Sequence, residues 1–111
     1  MSLNFIPWKR LRRSFDVVVG TLKISLYIHN QQSLKEKRKV VKSIITKVRN
    51  KFNASIGEIG SNDKWQLVEL GISTSANDRR FVNSTLDTIL SYIDSLYLGE
   101  IIDSKLEIFN V

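Results

Sequence analysis

One group of side chains, between Ser33 and Lys51, has both the type and the spacing to do chemistry. Lys35, Arg38, Lys39, Lys42 and Arg49 recur at separations of three, four and seven residues. A helix turns about 100° per residue, so these five share one flank. Ammonium and guanidinium groups in a row neutralise a run of phosphates or carboxylates without any covalent step. Like charges this close cost a helix roughly 0.2–0.5 kcal/mol per pair, which selection for stability alone would avoid. Lys and Arg also form helices well and solvate surfaces, so a solvated face is the competing explanation. Arg79 and Arg80 sit just inside the start of a second helical pattern. The dipole there disfavours cations, so this pair joins the set of candidate phosphate contacts.

Other chemistries lack their residues. The chain has one His and no Cys. A zinc site needs three or four ligands and a proton relay needs an orienting partner, so His29 is expected to be a polar loop residue. The acids are scattered without a local pair, and neither G-x-G-x-x-G nor G-x-x-x-x-G-K-[ST] occurs. The expectation is a protein that is not an enzyme, with no cofactor and no metal. The lack of Cys rules out disulfides and thiolate metal sites and suits a reducing cytoplasm, the expected location. The net charge of +6 favours nucleic acid, acidic proteins or anionic membranes as partners. No apolar run is long enough for a transmembrane segment, and no signal-peptide core follows the first basic residues.

These side chains must be positioned by a fold, and the 111 residues suffice for one domain. Residues 1–16 read as a basic, flexible arm: Lys9, Arg10, Arg12 and Arg13 occur there, with the only Pro and no acid before Asp16. Residues 17–111 read as a single domain. From Val17 to His29 the chain alternates, with Val18, Leu22, Ile24, Leu26 and Ile28 on the inner face. The helix 33–51 opens with the capping box Ser33-x-x-Glu36 and carries an apolar stripe of Leu34, Val41, Ile44, Ile45, Val48 and Phe52. Lys37 falls beside that stripe and is expected to snorkel from the first turn.

A second strand is expected from Phe52 to Gly60, then a turn through Ser61-Asn62-Asp63-Lys64 and a third strand from Trp65 to about Ser75. Asn77 or Asp78 caps a helix over about 78–97 with the core stripe Val82, Leu86, Ile89, Ile93 and Leu96. Gly99 is expected to end it. A fourth strand runs from about Glu100 to Phe109 with Ile102, Leu106 and Ile108 inward.

The order β-α-β-β-α-β, with right-handed crossovers, gives an α+β fold of the ferredoxin-like type. It is a four-stranded antiparallel sheet with two helices on one face, the first and third strands central. The uncovered face would carry Lys23, Tyr27, Trp65, Leu67, Glu69, Lys105, Glu107 and Phe109. Its large apolar members, Tyr27, Trp65, Leu67 and Phe109, are candidate interface residues. They would stack RNA bases or pack against a second copy, and a dimer through this face or an edge strand is favoured over a sheet-based RNA reader. Acylphosphatases of this shape carry an Arg in the loop after the first strand. Here that loop is His29-Asn30-Gln31-Gln32.

Three segments together carry a resemblance: Val18-Val19-Gly20-Thr21-Leu22, Ser33-Leu34-Lys35-Glu36-Lys37-Arg38 and Ser75-Ala76-Asn77-Asp78-Arg79-Arg80-Phe81-Val82. With Trp65-Gln66 and Glu69-Leu70-Gly71 they resemble the YlxP-like family of small bacterial proteins over about residues 18–111. The resemblance implies the same fold and a bacterial cytoplasmic setting. It also implies a link to translation, since genes of the family often lie near those for translation initiation and a ribosome maturation factor. The expected function is a non-enzymatic accessory protein that binds structured RNA, such as a ribosomal subunit, through the basic helix. The alternative is a homodimeric protein-interaction module using the open sheet face.

Overall fold

Apolar side chains recur at every second position from Val18 to Ile28 except at Gly20, as a strand covered on one face requires. In the computed structural model, which describes residues 16–29 and 32–111, this segment forms β1 (Val18–Tyr27). It is followed by α1 (Leu34–Lys51), β2 (Ser55–Gly60), β3 (Leu67–Ala76), α2 (Arg79–Ser95) and β4 (Glu100–Asn110). The sheet is antiparallel throughout, in the order β2-β3-β1-β4. Both helices pack on one face, giving the expected ferredoxin-like arrangement. Residues 1–15 of the expected basic arm lie outside the described residues.

The core joins the inner face of the sheet to one stripe of each helix. Leu22, Ile24, Leu26, Ile56, Val68, Leu70 and Ile72 meet Val41, Ile44 and Val48 of α1 and Val82, Leu86, Ile89 and Ile93 of α2. Ser33 caps α1, its hydroxyl accepting from the Glu36 amide at 3.1 Å. Asp78 caps α2 in the same way, accepting from the Arg80 amide at 3.1 Å.

Gly20 interrupts the apolar alternation of β1 because α2 descends onto it. A Cβ there would collide with Val82 Cγ1 and lie 2.7 Å from Leu86 Cδ1. Gly57, on β2, has open space where its Cβ would be. Gly20→Ala is therefore expected to destabilise the protein by about 1–3 kcal/mol through overpacking. Gly57→Ala should be neutral or stabilising by up to about 1 kcal/mol, because it restricts the unfolded chain without a clash. Urea denaturation of the two variants checks the pair. Equal effects would show that α2 does not rest on Gly20.

Several expected boundaries shift for local reasons. Phe52 closes α1 instead of opening β2, its amide donating to the Val48 carbonyl at 2.9 Å. Trp65 precedes β3, which begins at Leu67. At the end of α2 the left-handed residue is Tyr97, with φ 53°, and not Gly99. Gly99 serves close approach: a Cβ there would lie 3.3 Å from the Tyr27 carbonyl oxygen. On β4 the inward residue is Ile101, not Ile102. The register passes from Ser25 opposite Asp103 to Leu26 opposite Ile101, so the bulge skips Ile102 and leaves it 53% exposed.

Candidate nucleic-acid interface

Formal charge is unevenly distributed over the fold. Helix α1 holds eight of the seventeen Lys and Arg residues and one of the eleven acids. Four more cations belong to residues 1–15. The rest of the chain carries five basic and ten acidic residues. One strongly cationic helix therefore lies on an otherwise acidic body. A protein that used charge only for solubility would intersperse the signs.

The eight cations of α1 are not equivalent. Lys37 is fully buried, its Nζ 2.9 Å from Glu58 Oε2 and donating to the Ser61 carbonyl at 2.6 Å. The snorkelling expected of it is overturned: Glu58 occupies an inward phase of β2 and supplies a counter-ion inside. Lys37 and Glu58 thus form an ion pair, and Glu58 Oε2 accepts no other hydrogen bond among the described residues. The Ser61 hydroxyl donates to Glu69 Oε2 at 2.6 Å, which extends the network to β3.

Three further cations are engaged towards the other end of α1. Arg49 Nη2 donates to the Ile56 carbonyl at 3.2 Å, Lys47 Nζ to the Ser43 hydroxyl at 2.7 Å, and Lys51 lies 4.7 Å from the centre of the Tyr92 ring. Lys35, Arg38, Lys39 and Lys42 are exposed and make no hydrogen bond or ion pair among the described residues. They span about 10 Å of helix, given a rise of about 1.5 Å per residue. All four lie in the first half of α1, and Lys35 lies in its first turn, where the positive end of the backbone dipole disfavours a cation.

The other predicted contacts lie elsewhere. Helix α1 starts at the end of the sheet where β1 finishes, and α2 starts at the opposite end, next to Ala76 and Val18. Arg79 and Arg80 are therefore remote from Lys35–Lys42. Arg79 Nη1 donates to Asn110 Oδ1 at 2.7 Å, and Arg80 is exposed.

On the open face, Tyr27 and Leu67 pair across β1 and β3. Phe109 pairs with Val19, eight residues back along β1, roughly 26 Å away at about 3.3 Å per residue. Trp65 stands outside the sheet, 54% exposed. The four predicted interface residues thus do not form one patch. Between them a shallow trough of about 610 Å³ runs over Gly57, Gly71 and Ser73, bordered by Ile59, Lys23 and Lys105. His29 is an exposed loop residue with its Nε2 2.9 Å from Glu100 Oε1 and its ring edge-on to Tyr27 at 4.7 Å. Sequence patterns missed both the Lys37–Glu58 pair and the closeness of the β2–β3 turn to α1. The one local signal for either was a lysine beside an apolar stripe.

No helix among the described residues is long and apolar enough to cross a membrane. A family model described as "Protein of unknown function (DUF503)" matches residues 19–106. The uncharacterized protein YlxP of Bacillus subtilis (strain 168) is 42% identical over 78 residues, covering 70% of this chain and 85% of that relative. Among solved structures, the de novo designed protein Foldit4 has a TM-score of 0.46 at 17% identity, covering 86% of this chain and 96% of its own. The family model and the identity to YlxP together make this chain a member of the YlxP-like family of small bacterial proteins.

Proposed function

We propose that this protein is a non-catalytic cytoplasmic accessory factor that binds structured RNA, on a ribosomal subunit, through the exposed flank of α1. The observation that supports it is the set Lys35, Arg38, Lys39 and Lys42: four exposed cations on the first half of one helix, with no ion-pair partner among the described residues, on a domain whose other residues carry more acids than bases. Such contacts position a protein on a backbone and read little sequence. Arg49, on the same flank, is a secondary contact, whereas Arg80 lies at the opposite end of the fold and Arg79 is held by Asn110.

The test is co-sedimentation of the purified protein with separated ribosomal subunits across a salt series. Neutralising about four phosphates predicts an affinity that falls about 50- to 150-fold between roughly 50 and 200 mM salt. Binding to one subunit that persists near 150 mM salt supports the proposal. A flat salt response, or equal weak binding to both subunits, counts against it.

A second reading is a homodimer through the open sheet face, supported by the Tyr27–Leu67 pair and the glycine-floored trough. Under this reading Leu67→Asp converts a dimer to a monomer in light scattering while RNA binding stays within about twofold. A wild-type protein that is monomeric at about 100 μM removes this reading, since specific interfaces associate in the micromolar range or tighter.

A further inference from the structure

The turn joining β2 to β3 lies at the end of the fold where α1 starts, the half of the helix that carries Lys35, Arg38, Lys39 and Lys42. It is held there by named contacts. Lys37, in the first turn of α1, reaches through the interior to the Ser61 carbonyl and to Glu58. Ser61 adopts a left-handed backbone with φ 56°, and the Lys64 amide donates to its carbonyl at 3.0 Å, closing the turn. The Ser61 hydroxyl is anchored on Glu69. At the far side of the turn, Gln66 is fastened twice to Ile28, the residue after β1. Its carbonyl accepts from the Ile28 amide at 2.7 Å, and its Nε2 donates to the Ile28 carbonyl at 3.3 Å.

Lys64 and Trp65 lie between these two anchors. Trp65 is more than half exposed, although an indole of its size would bury well in a core. A non-glycine residue at positive φ carries a backbone cost that surrounding contacts must hold in place. Here those contacts hold a turn that carries an exposed cation and a large exposed aromatic ring at the end of the fold where α1 starts.

We infer that the β2–β3 turn and the first half of α1 form one composite RNA edge. In it Trp65 stacks on an unpaired base while Lys35, Arg38, Lys39 and Lys64 take the flanking phosphates. The inference rests on the RNA-binding reading and narrows its ligand: a loop, bulge or strand end with a splayed base, not a continuous duplex. A base can reach an aromatic side chain only when it has left the stack, whereas phosphates are equally available in both forms.

The experiment uses the full chain and two RNAs of equal length, a stem with a single-stranded loop and a fully paired duplex. The chain contains Trp8 as well as Trp65, so a Trp8→Phe background isolates the emission of Trp65. Wild type should bind the loop RNA with quenching of Trp65. Trp65→Ala should weaken loop binding about 5- to 150-fold, the range for loss of one base–aromatic stack. Its affinity for the duplex should stay within about twofold. Trp65→Phe, which keeps an aromatic face, should retain most of the loop affinity and guards against misfolding of the alanine variant.

Equal losses on both RNAs, or no loss on either with unquenched emission, overturn the composite edge. They leave phosphate binding by α1 standing if wild type still binds both RNAs with a steep salt dependence. Failure of wild type to bind either RNA overturns the edge together with the RNA-binding reading beneath it.

Discussion

Lys37→Ala should lower the stability of this protein by about 3–5 kcal/mol, the largest single-residue effect expected outside the apolar core. The wild-type ammonium is fully buried against Glu58, whose side chain is 18% exposed. Taking two charges out of water is costly, and their attraction offsets that cost only while both are present. Removing the lysine strands a carboxylate in the interior and leaves the Ser61 carbonyl without its 2.6 Å donor. The partial exposure of Glu58 places the expected loss toward the lower end of the range. For a domain of this size the loss corresponds to a fall in Tm of roughly 10–25 °C.

Lys37→Met, which keeps the stem and removes the charge, should lose nearly as much. The double variant Lys37→Met/Glu58→Leu should recover most of the loss, since an apolar pair of similar volume needs no counter-ion. Thermal and urea denaturation decide the matter. A Lys37→Ala protein within about 1 kcal/mol of wild type would mean that water reaches Glu58 and that the pair does not hold the turn.

The second large effect is on binding. Reversing Lys35, Arg38, Lys39 and Lys42 to Glu should reduce RNA affinity on the order of 10²- to 10³-fold near 0.15 M salt, because four counterion-releasing contacts are lost. The same variant should fold normally, since all four side chains are exposed and unpaired among the described residues. The acid at position 35, in the first turn, gains about 0.3–1 kcal/mol from the dipole, and repulsion between the new acids subtracts a similar amount. Its Tm should therefore lie within a few degrees of wild type.

This separation of binding from stability distinguishes a functional stripe from a solvated face. A residue set kept for solvation would lose nothing on reversal. One kept for phosphate binding loses affinity while the helix stands. RNA affinity within about threefold of wild type would demote the stripe to surface chemistry.

Residue types and spacing were enough to place six elements in order and to separate the inner from the outer face of β1 and β3. Period two in β1 and β3 and the 3.6-residue stripe in both helices are local signals, and burial on a two-layer fold enforces them. The cap Ser33 was legible for the same reason, because capping is settled within four residues of chain, and the second cap was narrowed to Asn77 or Asp78, of which the fold uses Asp78. The exposed flank Lys35, Arg38, Lys39 and Lys42 was also visible, since helical spacing alone puts it on one side.

Tertiary structure decided the rest. Lys37 and Glu58 are twenty-one residues apart, and no local rule pairs a lysine on an apolar stripe with an acid on an edge strand. Ile102 is displaced by a bulge whose register depends on β1, a segment some eighty residues away. Arg49 looks equivalent to Lys42 on a helical wheel, yet it reaches a carbonyl of β2. Ser61, in the β2–β3 turn, meets Lys37 at the start of α1 because strand pairing carries that turn there, while Arg79 and Arg80 go to the opposite end. Sequence by itself determined the elements, their faces and a cationic helix, because periodicity and capping act over a few residues. Which charges meet a partner inside, and which are left to meet one outside, depends on distances between elements that only the packed fold sets.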